Sequence, residues 1–392
     1  TLNYVRSFGN HNINALAGYE AIDYQRNSMN ASMAGYVSTD QAAWYIQDAL
    51  GDPSTKQVYS YGAVSSLVSM FGKIDYNFAN KYYVSGTIRR DGSSKFGPNN
   101  RYGTFPAFSA GWRISEESFM NNLSWLSDLR LRGGWGITGN QGIPSGRTAN
   151  QYGGNTSQTF YDINGTNSSI VTGYRLTALG NEDLKWEENV STNIGFDLSM
   201  LERRINVVFD YYQRTVDDLL YGPQIPATAG QASPPIVNIG TMENKGIDFS
   251  VGYRSKLTGK FQWEIELIGS HYKNEIVNID GVQDFFYGPQ GGRKGTFVIN
   301  QVGHPIGSFY GYVQDGIFQN QGEVDAHPTQ DGKAVGRFRF KDTNEDGIVN
   351  AEDRDIIGSP HPDFTGGLSF NASWRNFDAS VFFLSLIHIS DP

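Results

Sequence analysis

The stretch KFQWEIELIGSHYK, residues 260–273, decides the fold. Phe261, Trp263, Ile265 and Leu267 fall on one side of an extended chain, and Gln262, Glu264 and Glu266 on the other. Alternation with period two is the signature of a strand lying between an apolar and a polar medium. The pattern recurs in both directions. In 202–215, Ile205, Val207, Phe209 and Tyr211 oppose Asn206, Asp210 and Tyr212; in 193–200, Ile194, Phe196, Leu198 and Met200 oppose Asn193, Asp197 and Ser199. Leu368, Phe370, Ala372 and Trp374 oppose Ser369, Asn371 and Ser373, and Tyr82, Val84 and Ile88 oppose Ser85, Thr87 and Arg89.

The spacing predicts twelve strands, over 1–8, 11–25, 65–78, 81–92, 104–114, 128–138, 186–201, 204–218, 244–257, 260–274, 364–375 and 377–387. Many reach the ~9–11 residues that a tilted strand needs to cross a bilayer. Their connections alternate in length. Short ones fall at Gly9-Asn10, Ala79-Asn80, 115–127, Glu202-Arg203, Thr258-Gly259 and Arg375-Asn376; long ones cover 26–64, 93–103, 139–185, 219–243 and 275–363. An up-and-down barrel, with tight turns on the periplasmic side and long loops outside, has this rhythm. A Greek-key sandwich has no reason to show it, and no repeat of blade or solenoid type favours a propeller. The expected fold is all-β: an antiparallel up-and-down transmembrane β-barrel, partial. Tyr76 and Phe78 before one tight turn, with Tyr82 and Tyr83 after it, suit a water–lipid boundary.

Composition agrees. Aromatics make up 14% of 392 residues, Gly numbers 46 and charged residues are only 18%, a mixture that favours strands and turns. The net charge of −9, with no basic run, argues against nucleic acid and against docking on an anionic surface. Cysteine is absent, which excludes a disulfide framework and a thiolate metal site. The opening TLNYVRSFGN reads as mid-strand and carries no leader, so the chain is expected to be part of a longer one, and the missing leader says nothing about location.

One segment carries explicit ligand chemistry. In DTNEDGIVNAED (342–353), Asp342, Asn344 and Asp346 stand at positions 1, 3 and 5 of a calcium loop, and Gly347 takes the sharp turn at 6. Ile348 offers its carbonyl at 7, Asn350 stands at 9, and Asp353 closes the loop at 12. Asp replaces the bidentate Glu of an EF-hand, as in dockerin-type loops, and the flanks read as strand before and about one helical turn after. The competing reading is a polar turn built on Asx hydrogen bonds. A structural Ca2+ is the expectation.

Catalytic arrangements are thin. His11, His271, His304, His327, His361 and His388 are scattered, and there is neither a nucleophile elbow nor a phosphate loop. The pairs Glu187-Glu188 and Glu116-Glu117 read as solvated faces or caps, and Ser115 as the N-cap of a short turn in SEESF (115–119). No enzyme is expected.

Several motifs together resemble the SusC/RagA-like family of TonB-dependent outer-membrane transporters. They are LRLRGGWGITGNQGIP (129–144), NEDLKWEENVSTNIGFDL (181–198), NKGIDFSVGY (244–253), GHPIGSFYGYVQDGIFQNQGEV (303–324), 336–370 and NFDASVFF (376–383). The resemblance implies a 22-stranded barrel in the outer membrane of a Gram-negative bacterium, closed by an N-terminal plug. It also implies import of oligosaccharides or peptides captured by a SusD-like surface lipoprotein and energised by the TonB complex. On this reading residues 1–387 are a barrel segment of about twelve strands, and 275–363 a long external loop carrying the calcium-type segment. LSLIHISDP (384–392) leaves the family pattern and is read as truncated or non-native sequence. The external stretch 150–169, rich in Asn and aromatics, suits sugars and peptides alike, so no cargo residues are assigned. A secreted, calcium-stabilised β-protein that binds glycans through Trp and Tyr is the alternative. A membrane-barrel hydrolase is a third class, without a nominated nucleophile.

Overall fold

The computed structural model describes residues 1–392 except 36–38, 42–43, 47–54, 155–158, 163–164, 166–169, 224, 226–229, 257–259, 280–282, 289–294 and 388–392. Twelve strands form one sheet in which each pairs only with its sequence neighbours, all antiparallel. They are β1 (Leu2–Phe8), β2 (His11–Ser32), β3 (Gln57–Phe78), β4 (Tyr82–Ser93), β5 (Tyr102–Arg113) and β6 (Leu126–Asn140). Then follow β7 (Glu187–Met200), β8 (Ile205–Asp217), β9 (Thr241–Arg254), β10 (Phe261–Asn278), β11 (Phe364–Trp374) and β12 (Phe377–Ile387). Every strand expected from alternation is present, in the meander order of an up-and-down wall.

Register shows why this wall lies in lipid. Leu129, Leu198, Val207, Val251, Leu267, Leu368 and Phe383 face one another across seven strands in an unbroken apolar row. Side chains on this face stay open: Ile194 is 62% exposed, Leu267 46% and Val251 40%. Among the described residues no second sheet covers them, as a soluble sandwich would require. The opposite face reads Asn77, Tyr83, Gly111, Arg132, Gly195, Asp210, Asp248 and Ser270 along one row. Apolar outside and polar inside is the membrane-barrel pattern.

At the tight-turn end an aromatic ladder marks the membrane boundary. Phe8, His11, Phe78, Tyr82 and Trp112 occupy successive cross-strand positions, with ring centroids 5.1, 4.8, 6.3 and 6.5 Å apart. Tyr76 shares this outward face, whereas Tyr83 turns to the lumen beside Asn77. Ala79 and Asn80 both take φ of 54°, as the central residues of a type I′ turn must, and the Lys81 amide closes it on the Phe78 carbonyl at 3.0 Å. Asn77 supports it by accepting from the Asn80 amide at 2.9 Å. The expected turn at 258–259 lies outside the described residues.

Two local expectations are corrected. The β2–β3 hairpin extends through 26–32 and 57–64, pairing Ser32 with Gln57; Met29, Val58, Tyr59, Tyr61 and Val64 are mixed there with polar residues on both faces, so alternation gives no signal. SEESF forms two 3-10 turns, and Ser115 caps neither; its hydroxyl donates to Asp128 at 2.8 Å. In β12 the lumenal positions pass from Asp378 and Ser380 to Phe382, Leu384 and Leu386, and the pairing with β11 runs on to Ile387. The rest of the 384–392 tail, His388 included, lies outside the described residues. No helix among the described residues is long and apolar enough to cross a membrane, which says nothing against crossing by strands.

Candidate functional site

The lumenal wall carries an ordered charge ladder. Arg132 on β6 donates to both oxygens of Asp210 on β8, at 2.5 and 2.6 Å, and to Asp197 on β7 at 3.2 Å. Gly195 stands between Arg132 and Asp210 in the same row. A Cβ there would lie 2.5 Å from the Asp210 carboxylate, so glycine is what lets the guanidinium reach across a whole strand. Asn193 adds a donor to Asp210 at 3.0 Å, and Arg113 with Ser115 pairs Asp128 one step lower. Arg132 and Asn193 border an open cavity of about 650 Å³ whose lining also includes Asn14, Asp75, Ser85 and Arg130. Fixed carboxylates and guanidiniums in a wet lumen can hold polar surface by hydrogen bonds.

External loops fold against the opposite, long-loop end of the wall. Phe96, Phe105, Ile143, Leu184 and Trp186 form a buried core, with the Trp186 indole donating to the Arg101 carbonyl at 3.1 Å. The sequence reading missed it, although the apolar residues of NEDLKW and of QGIP were its signal. The longest excursion builds a four-stranded sheet from 285–287, 298–301, 308–312 and 354–358, a helix over 321–326 and several two-stranded ladders. Asn274, 3% exposed on the lumenal face of β10, moors it: its oxygen accepts from the Ile306 amide at 2.7 Å and its nitrogen donates to Asn244 at 2.8 Å. His361 joins Ile306 and Tyr272 at 3.0 and 3.1 Å, a structural role. Tyr221 packs tilted against Phe286, ring centroids 4.2 Å apart, and burial pushes its hydroxyl pKa up.

The calcium-type segment is a tightly hydrogen-bonded loop. Asp353 is fully buried. One of its oxygens accepts from the Thr343 amide at 2.8 Å and the Asn344 amide at 3.4 Å, the other from the Asn350 amide at 2.7 Å. The Asn350 amide bond, then those of Thr343 and Asn344, hold its carboxyl below the ordinary range despite burial. Asp342 accepts from the Gly347 amide at 2.8 Å, while its other oxygen is buried without a partner. Asp346 accepts from the Ile348 amide at 2.8 Å and Asn344 from the Asp346 amide at 3.0 Å. Asn350 caps a single 3-10 turn at 351–353, after which the chain becomes strand. The structure thus gathers all six named residues into one loop, yet turns Asp353 toward backbone amides. Among the described residues no three His, Asp or Glu side chains converge to hold a metal.

Sheet order, lipid-facing row and polar lumen define an outer-membrane β-barrel wall. The chain belongs to the TonB dependent receptor-like β-barrel family, whose model matches residues 1–385. It is similar to the TonB-dependent receptor SusC of Bacteroides thetaiotaomicron, 33% identical over 384 residues that cover 96% of this chain and 36% of that protein. The TonB-dependent receptor P3 of Formosa agariphila is 33% identical over 386 residues, covering 97% and 37%. Among solved structures the RagAB peptide transporter superposes with a TM-score of 0.80 at 26% identity, over 97% of this chain and 40% of that one. The chain therefore spans little more than a third of the curated relatives it matches.

Proposed function

We propose that this chain is the barrel wall and external loop cover of an active importer of the SusC/RagA type. On this reading a SusD-like lipoprotein delivers oligosaccharides or peptides, and the TonB complex, acting outside this segment, energises their passage. The carrying observation is the lumen: a polar, ion-paired wall roofed by folded external loops, inside an apolar belt. The work is binding and gated release with no covalent chemistry, consistent with relatives named as receptors and transporters. The test is uptake of labelled oligosaccharide and peptide pools by cells with and without the complete gene, before and after collapse of the proton gradient. Loss of one class of cargo, with dependence on the gradient, supports the reading. Unchanged uptake, or uptake indifferent to the gradient, overturns it.

We also infer that the 342–353 loop binds Ca2+. The unpartnered buried oxygen of Asp342 is the observation in favour, since a carboxylate oxygen without a donor calls for a cation. Asp342, Asn344, Asp346, the Ile348 carbonyl and Asn350 would hold the ion, and three of those five donors are amide or backbone oxygens, as calcium accepts. Asp353 then serves chiefly as the clasp of the loop. Bound Ca2+ would supply charge neutralisation and loop order. Limited proteolysis within 336–362 of the complete protein, with calcium and with chelator, checks this; equal cleavage in both would count against it.

A further inference from the structure

On the lipid-facing side of β9 and β10, the register sets like charges directly opposite each other. Lys245 pairs with Lys273, and Glu243 with Glu275. Cross-strand neighbours have Cβ atoms only ~4.5–5.5 Å apart, and like charges so placed oppose sheet formation. Each lysine leans on a glutamate of its own strand, at 2.5 Å for Lys245 and 2.7 Å for Lys273. Gln213 on β8 donates to Glu243 from the other side. Exchanging positions 273 and 275 would keep both of those ion pairs and make both cross-strand pairs complementary. The register chosen instead juxtaposes two ammonium groups, whose side chains are 50% and 70% exposed.

Their height gives the reason. Tyr253, the aromatic of β9 at the tight-turn end, packs on Trp263 of β10 at 5.1 Å. Lys245 lies eight residues further up β9. At ~3.3 Å per residue and a tilt of ~40°, that is a rise of ~20 Å, close to the ~25 Å of the apolar belt. The two lysines therefore stand at the upper rim of the belt, above Ile247, Phe249 and Val251, facing the outer leaflet. Each ammonium has three N–H donors and its glutamate engages part of them.

We propose that Lys245 and Lys273 form a seat for the phosphate of an anionic outer-leaflet lipid. The acyl chains would lie along the apolar row below, and Glu243 and Glu275 would hold the two ammonium groups in place. The negative charge of the whole chain does not oppose this, because the interaction is read by two neighbouring cations rather than by a long-range field. The occupant is a membrane lipid, since the seat opens onto the belt and not onto the lumen.

The complete protein is purified in mild detergent and titrated with diphosphorylated lipid A, its phosphate-free counterpart and inorganic phosphate, with lipid retention followed by native mass spectrometry. Diphosphorylated lipid should be retained. Lys245→Gln with Lys273→Gln should weaken retention at least tenfold, and the double Lys→Arg variant should keep it. The double exchange Lys273→Glu with Glu275→Lys should raise the unfolding temperature of the lipid-free protein while lowering retention, which separates loss of the seat from loss of the fold. Unchanged retention in the Gln or exchange variant would overturn the proposal. So would equal retention of phosphate-free lipid, or displacement of the lipid by millimolar inorganic phosphate.

Discussion

Val251 and Ser250 are neighbours in β9 that face different media, so the same substitution at each tests the orientation of the wall. Val251 is 40% exposed in the apolar row, paired with Val207 and Leu267. Ser250 faces the lumen and donates to Glu266 at 2.8 Å. Phe249 lies midway along β9 between Tyr253 and Lys245, which puts Val251 ~5 Å from the belt centre at ~3.3 Å per residue and a ~40° tilt. Arginine on the lipid face costs about 2–4 kcal/mol at the midplane and 0–1 near the interface. Interpolation gives ~2 kcal/mol for Val251→Arg, a shift of about 30-fold in the folding equilibrium. Ser250→Arg loses a hydrogen bond worth ~1 kcal/mol and gains an ion pair with Glu266 worth a similar amount, so its net effect is near zero. Folding of the complete protein into lipid vesicles across a denaturant series, read by heat-modifiable mobility, measures both. If Ser250→Arg destabilises as much as Val251→Arg, the assignment of lipid and lumen faces is wrong.

Three further outcomes follow from the loops. Leu184 is wholly buried beneath Phe96, Phe105 and Trp186, so Leu184→Ala should cost about 2–5 kcal/mol of local stability; hydrogen exchange in 141–186 should rise while β6 and β7 stay protected. Gly347 has φ of +86° with open space where a Cβ would go; Gly347→Ala should therefore cost the backbone term alone, about 1–2 kcal/mol, visible as earlier proteolysis within 336–362. Asp353 has a depressed pKa, so the stability it contributes is complete above its unfolded value of ~4 and lost as pH falls through the folded value. Hydrogen exchange at the Thr343 and Asn350 amides should stay slow from pH 7 down to about 5 and quicken below 4, and equal protection at pH 3 and pH 6 would refute the clasp.

How much of this was legible in the sequence depends on whether two media met at the residue concerned. Where lipid and lumen flank the chain, every strand announces itself; KFQWEIELIGSHYK needed only its period to be placed in β10. Where neither face is uniformly apolar, as in 26–32 and 57–64, the same backbone pairing leaves no trace, because Val58, Tyr59, Tyr61 and Val64 mix with polar residues without a period of two. The loop core around Leu184 was legible only as scattered apolar residues, since Phe96, Phe105, Ile143 and Trp186 come from separate stretches that topology alone brings together.

The candidate site shows a different limit. Spacing located all six residues of the 342–353 loop in one turn, yet spacing cannot tell a carboxylate that meets a cation from one that meets amides. Both demand inward-pointing oxygens around a glycine of positive φ, and DTNEDGIVNAED satisfies both. The structure divides the tasks: Asp353 binds three amides and closes the loop, whereas Asp342 keeps a buried oxygen without a partner among the described residues. An ion bound at that unmet acceptor would neutralise Asp342 and add order to a loop that Asp353 already closes. That ordering matters because the strand at 354–358 that follows Asp353 pairs with 308–312, and the Ile306 amide just before that strand binds Asn274 on the lumenal wall. Through that chain of contacts the clasp at Asp353 is tied to the roof over the lumen.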